Sequence, residues 1–420
     1  MTTAIDEINK ALQRCNRCGF CQAGCPLYKV TGLERTTARG RLAIIGTALA
    51  GKLGLDDLEE AAFNCLTCNG CVDHCPPEVI TTQVVTRVRE ELLKRRGQPW
   101  QQRFLLHSLL PNPSLQRTMM GLARFSQVSG LRAVLRRSGL LALLPAARRA
   151  EALLPPIPRL GTDAGPGKLI VAPPEPEYRV AFFIGCLNAN LYPETVAAAL
   201  RLLARHRVQV TLPDFRCCGL PAYSYGDSES ARSLARKNID AVGHDVDAVV
   251  TACASCGSFL KDYRQLLAQD AGYSERAAAF SARVKDITEL LAQVQPAPGA
   301  TALEQRITYH DPCHLARFQK VTQQPRHLLK SVPGLELVEM AEADMCCGGA
   351  GSYSLGHYEL SLKVLERKMD NVAATGASIL VTGCPGCRMQ LAYGASRRKL
   401  PVAVLDTVEL LDRAYSQGKG

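Results

Sequence analysis

The chain of 420 residues predicts an α+β multidomain fold: a small, mostly helical N-terminal domain followed by two pseudo-symmetric α/β domains. Three observations carry this. The 18 cysteines fall into two blocks, eight in residues 1–98 and ten in residues 179–420, with none between. The second block contains an internal repeat. Short apolar runs alternate with helical stretches through that block, the pattern of α/β units with parallel strands.

In the first block, Cys15, Cys18, Cys21 and Cys25 precede Pro26, and Cys65, Cys68, Cys71 and Cys75 precede Pro76. Both runs read C-x2-C-x2-C-x3-C-P, the spacing of bacterial two-cluster ferredoxins, in which the fourth cysteine of each run ligates the other cluster. One [4Fe–4S] cluster is therefore assigned to Cys15, Cys18, Cys21 and Cys75, and the other to Cys65, Cys68, Cys71 and Cys25. Three thiolates within seven residues can hold three corners of one cube. The proline then turns the chain away without leaving an N–H unpaired. Structural zinc favours two separated pairs and fits these runs poorly. The 39 residues between the runs contain Arg39-Gly40-Arg41 and an apolar stretch from Leu42 to Leu49. That stretch reads as a helix over the clusters, while Arg39 and Arg41 are candidates to dock a partner or screen a cluster. Residues 1–98 are expected to form this ferredoxin-like two-cluster domain.

The second block repeats one pattern. Val180 to Ile184 lead to Cys186; Cys217-Cys218-Gly219 follow; Ala248-Val249-Val250 lead to Cys253-x-x-Cys256. In the second copy Ile307-Thr308-Tyr309 lead to Cys313; Cys346-Cys347-Gly348 follow; Ile379-Leu380-Val381 lead to Cys384-x-x-Cys387. Corresponding cysteines are offset by 127, 129 and 131 residues. Two domains, 179–300 and 301–420, are expected, with cysteines on strand-end loops, where α/β sheets place ligands. Adjacent cysteines rarely pair in a disulfide but can both reach metal. Five thiolates exceed the need of one cubane or one zinc, so one sulfur bridges irons or stays free. One or two further iron–sulfur centres are expected here, with zinc the competitor in the first repeat. His310 and His314 flank Cys313; an imidazole there can tune a cluster or relay protons, or simply bond within a turn. Gly348, Gly349 and Gly351 read as a loop that lets backbone approach a cluster.

Residues 99–178 form the connector. Leu115, Met119 and Leu122, then Leu131, Val134 and Leu135, are spaced for one helix face, with interruptions at Gly121 and Gly130. Residues 154–178, with seven prolines and three glycines, read as an extended linker. Between residues 100 and 160 nine arginines (103, 117, 124, 132, 136, 137, 148, 149, 159) meet one acid, Glu151, which accounts for most of the net charge of +11. Such a patch suits anionic lipid, as an amphipathic helix on a membrane, or an acidic partner. Nucleic acid is disfavoured, because aromatics make up 5% of the chain and do not interleave with the arginines.

The N-terminal MTTAIDEINK has no signal-peptide pattern, and no stretch approaches 18 apolar residues. A reducing, cytoplasmic setting is expected, where clustered thiols mean metal rather than disulfides. No dinucleotide fingerprint, Walker sequence or nucleophile motif is present. Oxidation of an organic substrate is therefore assigned to a flavin partner, which can take a hydride and pass on single electrons.

The order of these motifs resembles the glycolate oxidase iron–sulfur subunit over nearly the whole chain. The resemblance rests on the two runs, the basic Pro-rich connection and two repeats of the form C…CCG…CxxC. Cys65-Leu66-Thr67-Cys68, Arg39-Gly40-Arg41 and Cys346-Cys347-Gly348-Gly349-Ala350-Gly351 fit locally. The resemblance implies an electron-transfer subunit beside an FAD-containing subunit that oxidises glycolate and sometimes D-lactate, with electrons leaving for a membrane quinone. A peripheral place on the cytoplasmic face of the membrane goes with this. The architecture is also similar to the anaerobic glycerol-3-phosphate dehydrogenase C subunit, lactate-utilisation proteins and the catalytic subunit of heterodisulfide reductase, whose paired repeats hold noncubane [4Fe–4S] clusters. Both cysteine sets are complete in this chain, where glycolate oxidase subunits often have an eroded first repeat. Disulfide reduction at the repeats is the alternative this leaves open.

Overall fold

A computed structural model describes residues 4–130, 138, 145–158, 169–171, 175–243 and 245–416. In the N-terminal body the helix Ala4–Arg14 leads to Cys15 and packs on the helix Thr81–Arg96. The helices Ala38–Leu49 and Leu55–Phe63 fill the space between the two cysteine runs. Ile8, Leu42, Ile45, Ala62, Val84, Val88 and Leu92 form its core. Full burial of an aliphatic side chain contributes about 1.5–3 kcal/mol, so this small core holds the body together beside its cysteine loops. Buried Arg41 staples the segment from within, donating to the carbonyls of Thr36, Ala61 and Asn64.

The second block forms two sheets. The first comprises β1 (Leu169–Val171), β2 (Tyr178–Phe182), β3 (Val208–Thr211), β4 (Ala248–Thr251) and β5 (Val284–Asp286), in the order β1-β3-β2-β4-β5. The second comprises β6 (Gln305–Tyr309), β7 (Leu335–Leu337), β8 (Ile379–Thr382) and β9 (Ala403–Asp406), in the order β7-β6-β8-β9. Strands β2 to β5 correspond one to one with β6 to β9, and all these pairings are parallel. Central strands β4 and β8 are fully buried apolar runs, as parallel strands covered on both faces require. The correspondence continues past the last strand of each sheet. Asp286 caps the helix Ile287–Leu291, and Asp406 accepts from the Val408 N–H at the start of Thr407–Ser416. The segments Asp286-x-x-Glu289-Leu290-Leu291 and Asp406-x-x-Glu409-Leu410-Leu411 are a further repeat signal that the cysteine spacing did not include.

The two sheets share one core. Val180, Phe182, Leu202 and Val250 of the first half pack with Ile307, Val381, Leu405, Val408 and Leu411 of the second. Arg388 pairs with Glu409 and also reaches Thr195, and Arg201 pairs with Asp412, so ion pairs follow the same seam.

Two sequence expectations need correcting. Gly121 does not interrupt its helix, which runs Pro113–Val128. Asn112 accepts from the N–H groups of Ser114 and Leu115 and Pro113 fills the first turn, so a strong start offsets a cost of about 1 kcal/mol for one glycine. The residues 154–178 are not wholly extended linker either. Leu169–Val171 pairs antiparallel with β3, because three β-forming residues suffice to cover an open sheet edge. Leu131, Val134 and Leu135, with Arg132, Arg136, Arg137 and Arg159, lie outside the described residues.

Candidate metal centres

The two N-terminal runs share two left-handed backbone positions. Arg17 and Thr67, each two residues after the first cysteine, have φ of 54° and 49°; Gly19 and Asn69, two further on, have 91° and 57°. These left-handed residues coil each run tightly and turn N–H groups toward sulfur, as Thr67 N to Cys65 Sγ at 3.4 Å and Val79 N to Cys75 Sγ at 3.4 Å. The runs meet at two glycines. A Cβ on Gly24 would lie 1.8 Å from the Gly70 carbonyl oxygen, and one on Gly70 would lie 2.3 Å from that of Gly24. Gly24→Ala is therefore expected to separate the runs and abolish iron incorporation in this body, measured as iron per chain; full iron content would contradict the close approach.

Cys15, Cys18, Cys21, Cys71 and Cys75 line one small cavity with Arg39 and Leu42. Cys25 has Cys65 and Cys68 as electrostatic neighbours, and burial pushes its thiol up to about 11 against the pull of Arg41. Arg39 is bonded to Glu34 at 2.6 Å and lies beside Cys18 and Cys21. It thus stands at a cluster position, whereas Arg41 acts mainly on backbone.

In the α/β halves all ten cysteines stand beyond the carboxyl ends of strands, on the loops there or in the first turns of the helices that follow, as Cys186, Cys256, Cys313 and Cys387 do. Their thiols form one unbroken string of side-chain contacts: Cys186, Cys217, Cys218, Cys256, Cys253, Cys384, Cys387, Cys347, Cys346, Cys313. The order is a palindrome of the repeat. Each cysteine of the first half has its counterpart at the mirrored place in the second, and the two halves join at Cys253 and Cys384. One end region also joins the N-terminal body, because Cys68 contacts Cys346 and lies near Cys313. Buried Arg317 sits at that junction, paired with Asp73 at 3.1 Å and Asp344 at 2.9 Å. Arg89, also buried, donates to the carbonyls of Ala62, Cys65 and Ser224 and so ties the second run to the first α/β half. Neither Arg89 nor Arg317 was singled out from sequence. For Arg89 the signal existed: it falls four residues after Val85 and three before Leu92, on the buried face of Thr81–Arg96.

The CCG glycines serve two purposes. The Gly348 N–H lies 3.5 Å from Cys346 Sγ, so backbone does approach sulfur at this loop. Gly219 and Gly348 have φ of 93° and 84°, and a Cβ there would meet Ala231 on the helix Ser228–Ala241 and Ser361 on the helix Tyr358–Ala374. They also bring each loop against its helix, and a Cβ on Gly349 would lie 3.5 Å from Cys347 Sγ.

The histidines differ from each other. His314 Nδ1 lies 2.6 Å from Ser258 Oγ across the seam between the halves, and its ring stacks on Phe318. His310 is fully buried, and burial, helped by Lys368, pushes it down to about 3. Its ring nitrogen, Cys347 Sγ and Cys387 Sγ lie within 4.8 Å of one another.

This donor chemistry suits iron–sulfur clusters. Buried thiols are gathered without disulfides, backbone N–H groups point at them, and arginines stand beside the thiolates that would carry negative charge. Fold and site together define a multi-centre iron–sulfur protein of the dicluster-plus-cysteine-rich class. The family comparisons agree: a 4Fe-4S dicluster domain matches residues 11–79, a glycolate oxidase iron-sulfur subunit linker region 97–154, and a cysteine-rich domain 180–261 and 307–392. A probable glycolate oxidase iron-sulfur subunit of Bacillus subtilis is 36% identical, over 93% of this chain and 90% of that one. The glycolate oxidase iron-sulfur subunit of Escherichia coli is 30% identical, over 98% and 96%. The chain belongs to the family of glycolate oxidase iron-sulfur subunits. In fold it also resembles a hypothetical protein from Helicobacter pylori, with a TM-score of 0.58 at 10% identity over 99% of this chain and 73% of that one.

Proposed function

We propose that this chain is the electron-transfer subunit of a flavin-dependent 2-hydroxy-acid dehydrogenase, acting on glycolate or D-lactate through an FAD-containing partner. The single observation that carries the reading is the sulfur string, which runs without a break from the second N-terminal run into both repeats. Bound iron–sulfur clusters supply one-electron carriage, and this chain's residues space, bury and charge-balance them. Cys15, Cys18, Cys21 and Cys75 hold one N-terminal cluster; their shared cavity supports this. Cys65, Cys68, Cys71 and Cys25 hold the other, supported by the neighbours of Cys25. The ten remaining cysteines hold one centre per repeat.

The entry point lies on another subunit, and the connector is the surface suited to meet it or a membrane. Met119, Leu122, Phe125 and Val128 form an exposed apolar stripe along Pro113–Val128, three residues apart, with Arg117 and Arg124 on the same helix. Among the described residues no helix is long and apolar enough to cross a membrane. Anaerobic purification tests the reading: a flavoprotein is expected to co-purify, and glycolate is expected to bleach the clusters of the pair but not of this chain alone. Bleaching of the isolated chain, or purification with no flavoprotein, would overturn it. Liposome flotation with and without anionic lipid assigns the stripe to membrane or partner.

One observation favours a second reading, disulfide reduction at the repeats. A cleft of about 1050 Å³ reaches the loops of several cysteine motifs through Thr67, Asn69, Leu220, Phe259 and His314. Turnover of a mixed disulfide by the isolated chain with a reduced dye would favour it over the first.

A further inference from the structure

The two repeats match cysteine for cysteine, yet one position between them differs in chemistry. His310, three residues before Cys313, corresponds to Phe183, three residues before Cys186. Both side chains are fully buried. Phe183 packs in the apolar core of the first half beside Cys217, Cys218, Cys253 and Cys256. His310 occupies the equivalent place beside Cys347 and Cys387. Among the described residues neither of its ring nitrogens has a hydrogen-bond partner. The nearby Ala343 carbonyl is already taken, by the Asp311 N–H at 3.1 Å and Lys368 Nζ at 3.2 Å. An unpartnered imidazole in a protein interior carries a desolvation cost of about 1–3 kcal/mol per orphaned group, which a ligand would relieve. Its donor atom already lies within 4.8 Å of two thiols that converge with it, and a neutral imidazole nitrogen is a good ligand for iron.

We propose that the metal centre of the second repeat takes His310 as a nitrogen ligand alongside Cys347 and Cys387, whereas the centre of the first repeat, with Phe183 in that place, is held by sulfur alone. The proposal rests on the reading that each repeat holds a metal centre. It makes the two centres chemically unlike despite their matched cysteines. With five thiols at hand in each repeat, a neutral nitrogen on the iron lets one more thiol stay off it in the second, which leaves that centre less negative and so easier to reduce. It therefore separates the potentials of two centres that the cysteine pattern alone would make equal.

The test uses the full-length protein purified anaerobically from cells fed 15N-histidine. Pulsed EPR of the reduced protein is expected to show one strong, through-bond 15N coupling at an iron centre. That coupling should vanish in His310→Phe, which copies the first repeat, and persist in His314→Gln. Iron content should stay within about one cluster of wild type. Only a weak coupling of hydrogen-bond size, or a strong one that survives His310→Phe, would overturn the proposal. Iron of about 8 per chain in wild type, unchanged by Cys347→Ser, would instead overturn the underlying reading that the repeats hold clusters, and the proposal with it.

Discussion

Cys346→Ser is expected to leave the N-terminal clusters in place and cut them off from the rest of the chain. Cys346 Sγ is the sulfur that touches Cys68 of the N-terminal body, Cys313 at the end of the string and Cys347 within it. Its own backbone support, the Gly348 N–H at 3.5 Å, is aimed at sulfur, and a serine oxygen is shorter and a harder donor. The second-repeat centre should therefore be lost, lowering iron by about four per chain. Transfer from the flavoprotein to an acceptor served by the repeats should fall at least about 100-fold, equivalent to about 2.7 kcal/mol in barrier. The EPR of the centre proposed for Cys65, Cys68, Cys71 and Cys25 should change as its paramagnetic neighbour disappears, and that of the Cys15 set should not. Full iron and undiminished turnover would show that electrons do not pass this junction.

Arg89→Ala is expected to cause a large loss of stability. The guanidinium is buried and serves three carbonyls: Ala62 at 2.8 Å, Cys65 at 2.8 Å and Ser224 at 2.7 Å. It also lies over the Phe63 ring. The backbone beyond it is fitted just as closely, since a Cβ on Gly226 would come 2.5 Å from the Arg89 carbonyl carbon. Truncation strands one buried and two partly buried acceptors and opens the joint between the second run and the first α/β half, at a cost of about 3 kcal/mol. Arg89→Lys should rescue little, because one ammonium cannot span three divergent carbonyls as a planar fork does. Thermal melting followed by loss of cluster absorbance checks both variants. Melting within a degree of wild type for Arg89→Ala would mean that this joint carries no stability.

Much of this molecule was legible in its cysteines, because metal chemistry dictates their spacing more tightly than packing dictates apolar residues. The two runs, the repeat and the strand-then-cysteine order could be read directly, and the parallel sheets followed from them. The palindrome could not. In sequence Cys253 precedes Cys256 just as Cys384 precedes Cys387, and nothing in that order says which member of each pair faces the pseudo-two-fold axis. The contact between Cys68 and Cys346 spans the chain and depends on how three bodies dock, through Arg317 with Asp73 and through Lys29 with Glu342 at 2.7 Å. Strand β1 was hidden by its Pro-rich surroundings, since three residues cannot show an alternating pattern. The contrast between His310 and Phe183 was in the sequence all along. It acquired meaning only when the structure put both at one place and left the histidine without a partner.

The central claim is that all four sulfur sets belong to one chain of metal centres. Iron, acid-labile sulfide and zinc per chain, measured on anaerobically purified full-length protein, test it most directly. The account predicts about 16 iron with matching sulfide and no zinc, from two N-terminal clusters and one four-iron centre in each repeat. A result of about 8 iron, with zinc making up the repeats, would contradict it, since the string from Cys313 to Cys186 would then be structural and the electron path would end at Cys68.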